Sequence, residues 1–217
     1  MSRARRNLPV LLDRHRRELL ACRACGHDVG VRPITSDAIS PRAMIVGQAP
    51  GITEAGGGRP FAGQAGRTLF RWFARVGYDE ATIREHVYIA ALTRCYPGRA
   101  PSGRGDRVPS PREQAACSRW LDAELGMIRP PVLILIGRLA ITRFLPAKPL
   151  DQLVGRVHEV EHAGGRSHVI PLPHPSGASS WFHLPANARL LDRALAQLGH
   201  ELEQAGIRPD ESVRSVA

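Results

Sequence analysis

The chain has 217 residues, 43% of them hydrophobic, enough for one domain with a buried core. No apolar run approaches the roughly 18 residues that a membrane-crossing helix needs, and the basic N-terminus lacks the apolar stretch and small-residue cleavage site of a secretory signal; a cytoplasmic protein without a membrane partner is expected. The formal net charge of +10 and pI of about 10.8 favour a polyanionic partner, most commonly nucleic acid, with the excess carried by arginine because Lys148 is the single lysine.

Residues 8 to 21 place Leu8, Val10, Leu11, Leu12, Leu19 and Leu20 among charges, a pattern that predicts a helix leading into Cys22 and Cys25. A first strand follows at Ala43 to Val46 and stops at Gly47-Gln48-Ala49-Pro50-Gly51, through which neither strand nor helix can continue. In open α/β sheets the loop past a strand's carboxyl end is a common ligand site, although the same five residues would also make an ordinary connector. A glycine-rich loop then leads to a helix with Leu69, Phe70, Phe73 and Val76 on one face.

"HVYIAALTRC" predicts a second buried strand ending near Cys95, and residues 97 to 111 predict a long polar surface loop with no packed element of its own. Ser110 followed by Pro111 reads as an N-cap and first-turn proline. "PPVLILIG" is the clearest strand, apolar from Val132 to Ile136 and so buried on both faces as parallel strands are. A helix from Arg138, a last strand within "SHVIPLP" and a closing helix from Ala186 complete the order. This alternation predicts one α/β domain over residues 1 to 217: a three-layer α/β/α sandwich around a short, mainly parallel, four-stranded sheet. The N-terminal helix and its CxxC pair are expected to pack on it, and the last dozen or so residues to be disordered.

Without a secretory signal, Cys22, Cys25, Cys95 and Cys117 are not expected to form structural disulfides. Four thiolates suit tetrahedral zinc and an iron-sulfur cluster equally, and free buried thiols are the third alternative. Near the other end of the chain, His174, Pro175 and Ser176 lie just past the last strand, on the sheet edge that also presents Gly47 to Gly51.

Taken in order, "GQAPG", "GRPFAG", "VYIAALTRC" and "HPSGAS" resemble the uracil-DNA glycosylase superfamily, and look most like its iron-sulfur-containing family 4. The resemblance runs from Cys22 to the closing helix. It implies a monomeric base-excision repair enzyme that hydrolyses the N-glycosidic bond of uracil, or another deaminated base, flipped out of DNA. It also implies a [4Fe-4S] cluster on Cys22, Cys25, Cys95 and Cys117, pinning the N-terminal helix and the loop between Cys95 and Cys117. Phe61 matches the aromatic residue on which uracil stacks, and His174 the donor that stabilises charge on the departing base. Gly47, Gln48, Ala49 and Gly51 match the loop that positions water, sugar and base, with Ser176 beside His174 in the binding wall.

Three departures qualify the likeness. The classical uracil enzymes carry a water-activating carboxylate where this chain has Ala49, an absence that family 4 shares. Four residues before Cys95, where family 4 has an asparagine that reads the uracil edge, stands Ala91, and a site without that amide gives up discrimination. Some relatives become trapped covalently through a histidine in the long loop. Counting back from Pro109 and Ser110, this chain has Asp106 there, a carboxylate that would stabilise the sugar cation or activate water, although "GRGD" is equally a turn composition. Arg99, Arg104 and Arg107 of that loop are the first candidates for phosphate contacts. The alternatives to a uracil enzyme are a glycosylase for hypoxanthine or xanthine, an iron-sulfur protein that binds nucleic acid with weakened catalysis, and a zinc-stabilised α/β protein acting on a small nucleotide.

Overall fold

The computed structural model describes residues 3 to 25, 31 to 103, 105 to 176 and 181 to 214. In chain order the elements are α1 (Arg3–Leu20), β1 (Ala43–Gly47), α2 (Ile52–Gly57), α3 (Gln64–Ala74), α4 (Glu80–His86) and β2 (Val87–Ala91). They continue with α5 (Pro111–Ile128), β3 (Val132–Ile136), α6 (Arg138–Phe144), α7 (Leu150–Leu153), β4 (His158–His162) and β5 (Gly165–Leu172). A 3-10 turn at Trp181–His183 precedes α8 (Pro185–Gln204), and α9 (Glu211–Arg214) closes the series. No helix among the described residues is long and apolar enough to cross a membrane.

The sheet runs β2-β1-β3-β5-β4, with β1 parallel to β2 and β3, and β3 parallel to β5. The three strands β1, β2 and β3 are short and apolar because both their faces are covered, so alternate residues enter two different cores. Ile45, Ile89, Ile134 and Ile170 meet Leu69, Phe73, Leu195 and Leu198 of α3 and α8. Met44, Tyr88, Leu133 and Val169 meet Leu12 of α1 and Leu121 and Leu125 of α5.

The sheet has five strands, not the expected four, and it is mixed. The extra strand, β4, pairs antiparallel with β5 at the edge, from His158↔Val169 to His162↔Gly165. Its sequence His-Glu-Val-Glu-His offers no apolar run, since an edge strand has one neighbour and a wetted face; charge on such a strand blocks further pairing. The chain beyond α8 is tied back to the body: Ile207 is buried, its carbonyl accepts from Tyr78 Oη at 3.1 Å, and the Asp210 N–H donates to Gly77 O at 2.7 Å. These contacts lie within the stretch expected to be disordered, of which residues 215 to 217 fall outside the described residues.

The direction of travel reverses at β1: the chain goes first to β2 on one side, then to β3 on the other. A reversal of this kind leaves a crevice at the carboxyl ends of the strands.

Candidate active site

That crevice holds a cleft of about 470 Å³, and Gly47, Gln48, Ala49, Gly51, Phe61, Ala91, Asp106, His174 and Ser176 all line it. Residues up to 129 positions apart in sequence are thus brought to one wall-to-wall site by the ends of β1, β2 and β5. Gly47 and Ala91 are register partners at the ends of β1 and β2. Pairing continues past the strands, with Leu92 N donating to Gly47 O at 3.0 Å and Thr93 N to Gln48 O at 3.3 Å, which holds the first loop against the second.

Phe61 carries φ of +52°, in the left-handed region that non-glycine residues seldom occupy. Its ring lies over Gly47, where a Cβ would stand 3.5 Å from Phe61 Cζ. Ala91 adds only a methyl group to the cleft wall at the end of β2.

His174 leaves β5 and crosses the end of β3 on Gly137. That glycine is needed twice: its φ is +83°, and a Cβ there would lie 3.1 Å from His174 Cδ2. Ser176 N lies 3.2 Å from His174 Nδ1 and Ser176 Oγ lies 2.9 Å from it. A backbone N–H can only donate, so Nδ1 must be the acceptor and the neutral ring carries its proton on Nε2. Burial depresses the imidazolium pKa below the usual histidine value, against an opposing pull from the Glu54 carboxylate. The site therefore holds a neutral histidine with an N–H to offer.

Glu54 is a component that the sequence reading missed. Its Oε2 accepts from Gly51 N at 2.9 Å and its Oε1 from Gly63 N at 3.3 Å, so this buried carboxylate ties the "GQAPG" loop to the "GRPFAG" loop. The available signal was the spacing: a glutamate three residues after Gly51, the N-cap of α2, reaches back to the cap N–H as in the second half of a capping box. A Cβ on Gly51 would lie 2.8 Å from Glu54 Oε2 and 3.1 Å from Asp106 Oδ2. Two carboxylates thus flank one glycine.

Asp106 reaches that position because the long loop is not featureless. Arg99 and Asp106 form an antiparallel bridge, Arg107 N donates to Gly98 O at 2.9 Å, and Ala100 N donates to Gly105 O at 3.1 Å. The loop is exposed at its tip and carries no packed element, as expected, yet main-chain hydrogen bonds close it into a short hairpin. Tyr96 Oη donates to Asp106 Oδ1 at 3.0 Å, which orients the carboxylate. Arg107, read as a phosphate contact, is engaged with Glu113 at 2.7 and 2.5 Å, and this pair holds the Glu113 carboxyl down at about 2. Arg99 is exposed, and Arg104 lies outside the described residues.

The four cysteines gather elsewhere. Cys22, Cys25, Cys95 and Cys117 line one small cavity of about 20 Å³ between the end of α1, the exit of β2 and α5. Burial first, and then the other three sulfurs, push the Cys95 thiol up to about 12. At Cys22 burial also pushes upward, yet the Ala24 N–H, Trp120 and Arg119 outweigh it and lower the thiol, with Arg119 Nη2 3.8 Å from the sulfur. Among the described residues, no group of three or more His, Cys, Asp or Glu side chains is arranged in a metal-binding geometry. Two buried nitrogens of Arg94 at this cavity, Nε and Nη1, have no hydrogen-bonding partner, and Trp120 Nε1 has no other acceptor than the Cys22 sulfur.

Behind the cavity, Glu124 is wholly buried and accepts from Arg94 Nη2 and from Tyr88 Oη at 2.8 Å, and it lies 3.0 Å from His15 Nε2. Burial alone would raise this carboxyl; Arg94, ahead of His15 and Tyr88, holds it low.

Comparison with known proteins agrees with this geometry. Residues 34 to 199 match the model of the Uracil DNA glycosylase superfamily. The chain is 35% identical over 138 residues to the type-4 uracil-DNA glycosylase of Thermotoga maritima, a match covering 64% of this chain and 66% of that protein. It is 33% identical over 167 residues to the type-4 uracil-DNA glycosylase of Archaeoglobus fulgidus, covering 74% and 79%. It is also 32% identical over 115 residues to the type-5 uracil-DNA glycosylase of Thermus thermophilus, covering 48% and 49%. With most of its length matched and the motif loops meeting in one cleft, the chain belongs to the uracil-DNA glycosylase superfamily.

Proposed function

We propose that this protein is a DNA glycosylase of base-excision repair that hydrolyses the N-glycosidic bond of uracil, or another deaminated base, after the nucleotide is flipped from DNA. The observation that carries the reading is the pairing, in one cleft, of a neutral His174 with the carboxylate of Asp106. Bond breaking sends the electron pair of the C1′–N bond onto the base and leaves cationic character on the sugar. The Nε2–H of His174 would donate to the base oxygen on which negative charge collects, as an oxyanion hole does. Asp106 would face C1′, stabilise the cation and take the proton of the attacking water, with Gln48 and the loop backbone holding that water. Phe61 would stack on the base, and Gly47, Ala49, Gly51, Ala91 and Ser176 would shape the remaining wall. The flipped state costs a few kcal/mol, which stacking worth about 1 to 3 kcal/mol largely offsets.

The cysteine cavity fits an iron-sulfur group. Four thiols line one cavity with Arg94, whose Nε and Nη1 lack a partner and would find acceptors in the sulfurs of a [4Fe-4S] cluster. Cys22, Cys25, Cys95 and Cys117 would hold it, and its role would be structural, joining α1, the exit of β2 and α5. Purified protein should contain iron and sulfide with broad visible absorbance; a colourless protein holding zinc overturns this assignment. The enzyme would act as a cytoplasmic monomer on DNA.

The deciding experiment incubates the protein with single- and double-stranded oligonucleotides carrying uracil, hypoxanthine or xanthine, then cleaves abasic sites with alkali. Cleavage at uracil is expected. Cleavage at hypoxanthine or xanthine in preference to uracil would favour the second reading, for which the methyl group of Ala91 in place of a base-reading amide is the supporting observation. Absence of cleavage at all three bases would overturn the glycosylase reading.

A further inference from the structure

Phe61 holds a costly backbone conformation, and something must keep it there. A non-glycine residue at φ +52° is strained unless its surroundings over-determine it, and such residues cluster where geometry matters for function. Here the surroundings close from two sides. On one, Gly66 of α3 comes so near that a Cβ would fall 1.8 Å from Phe61 O, so only a glycine there admits the carbonyl in this orientation. On the other stands Arg84, from α4, with no contact to the cleft itself.

Arg84 donates through Nη1 to Pro60 O at 2.9 Å and through Nη2 to Phe61 O at 3.4 Å. Two consecutive carbonyls are thus gripped by the two arms of one guanidinium, which a lysine ammonium could not match in a plane. The guanidinium is itself held: Nε donates to Glu80 Oε1 at 2.7 Å, and its carbon lies 4.6 Å from the centre of the Phe70 ring. Its side chain is only 10% exposed. A half-buried, three-way anchored cation aimed at the backbone of a strained aromatic is more than a surface ion pair.

We propose that Arg84 is a positioning residue of the base pocket, which locks Phe61 in its left-handed conformation and so presents the ring over Gly47 as a preformed stacking platform. The inference rests on the glycosylase reading and adds to it a residue from an element that the cleft does not touch. Because the platform is built before the base arrives, base binding would not have to order it.

The test is a double-mutant cycle with free uracil as the probe. Inhibition by uracil and single-turnover cleavage of a uracil-containing oligonucleotide are measured for wild type, Phe61→Ala, Arg84→Met and the double variant. Arg84→Met should weaken uracil inhibition and cleavage about tenfold, within the range of one lost stacking contact, while binding to undamaged duplex stays the same. In the Phe61→Ala background the same change should add less than twofold, since the two act as a unit. Arg84→Lys keeps the charge and one hydrogen bond and should fall between, which covers the case in which the methionine variant fails to fold. Equal losses for Arg84→Met or Arg84→Lys with and without Phe61, or undiminished uracil inhibition in a folded variant, would overturn the proposal. Wild-type protein that leaves uracil DNA intact would instead defeat the glycosylase reading beneath it.

Discussion

The cleft and the cysteine cavity are both built where loops leave the strands, yet they are opposite in kind. In the cleft the polar groups include His174, Gln48 and two carboxylates around one glycine, with Asp106 exposed. Behind the cysteines the polar groups are buried, and Arg94, Tyr88 and His15 all converge on the carboxylate of Glu124. The first region can admit and release a ligand without exposing the core. The second holds charges that no water screens, so losing one partner strands another. Function and stability are therefore housed apart, and changes in each region should have different signatures.

The largest expected effect lies on the cysteine side. Glu124→Ala leaves Arg94 as a buried charge without its partner, and breaking such a pair costs about 3 to 5 kcal/mol. Chemical denaturation should report that loss, whereas cleavage per folded molecule should stay near wild type. Equal loss of cleavage by the folded fraction would mean that the two regions are coupled.

Next come the cleft residues, with the reverse pattern. His174→Ala and Asp106→Asn should each slow single-turnover cleavage by roughly a hundredfold, the scale of one lost electrostatic stabiliser, with little change in melting temperature or DNA affinity. If Asp106→Asn cleaves normally while His174→Ala is inactive, the hairpin carries no chemistry and catalysis rests on the leaving group. A smaller effect is expected from Ala91→Asn, which restores an amide beside Gly47 and should shift preference toward uracil severalfold; unchanged preference would place base reading on another wall.

The smallest effect belongs to the base of the hairpin. Glu113 titrates at about 2 in the folded protein against its ordinary 4.5, first because of Arg107. A depressed carboxyl contributes stability that is complete above its unfolded value and is lost as pH falls from 4.5 toward 2. For a pair this near the surface the contribution is about 1 kcal/mol or less. Glu113→Gln should thus lower stability slightly at neutral pH, and its difference from wild type should vanish near pH 2; a constant difference would assign the loss to the helix cap at Ser110 instead.

Much of this organisation was legible in the chain itself. The apolar runs at Met44 to Val46, Val87 to Ala90 and Val132 to Ile136 declare buried strands because both their faces must be covered. The glycines and prolines after β1 mark a stop that no partner could remove. Cys22, Cys25, Cys95 and Cys117, together with His174 and Phe61, were recognisable from motif order. What stayed hidden depended on neighbours distant in sequence. β4 is a strand only because β5 pairs with it, and its alternating charges carry no apolar signal. The hairpin that brings Asp106 to Gly51 is made by main-chain hydrogen bonds, to which side-chain patterning is blind.

Residue types along the chain thus determined which segments would be buried and where they would stop, since burial and turn formation depend on local composition. Only the tertiary structure decided that Glu54 ties two loops together, that Gly137 yields its space to His174, and that Arg84 grips Phe61. Those are matters of distance between separate elements, and a hydrogen bond or a steric gap exists only once packing has set that distance.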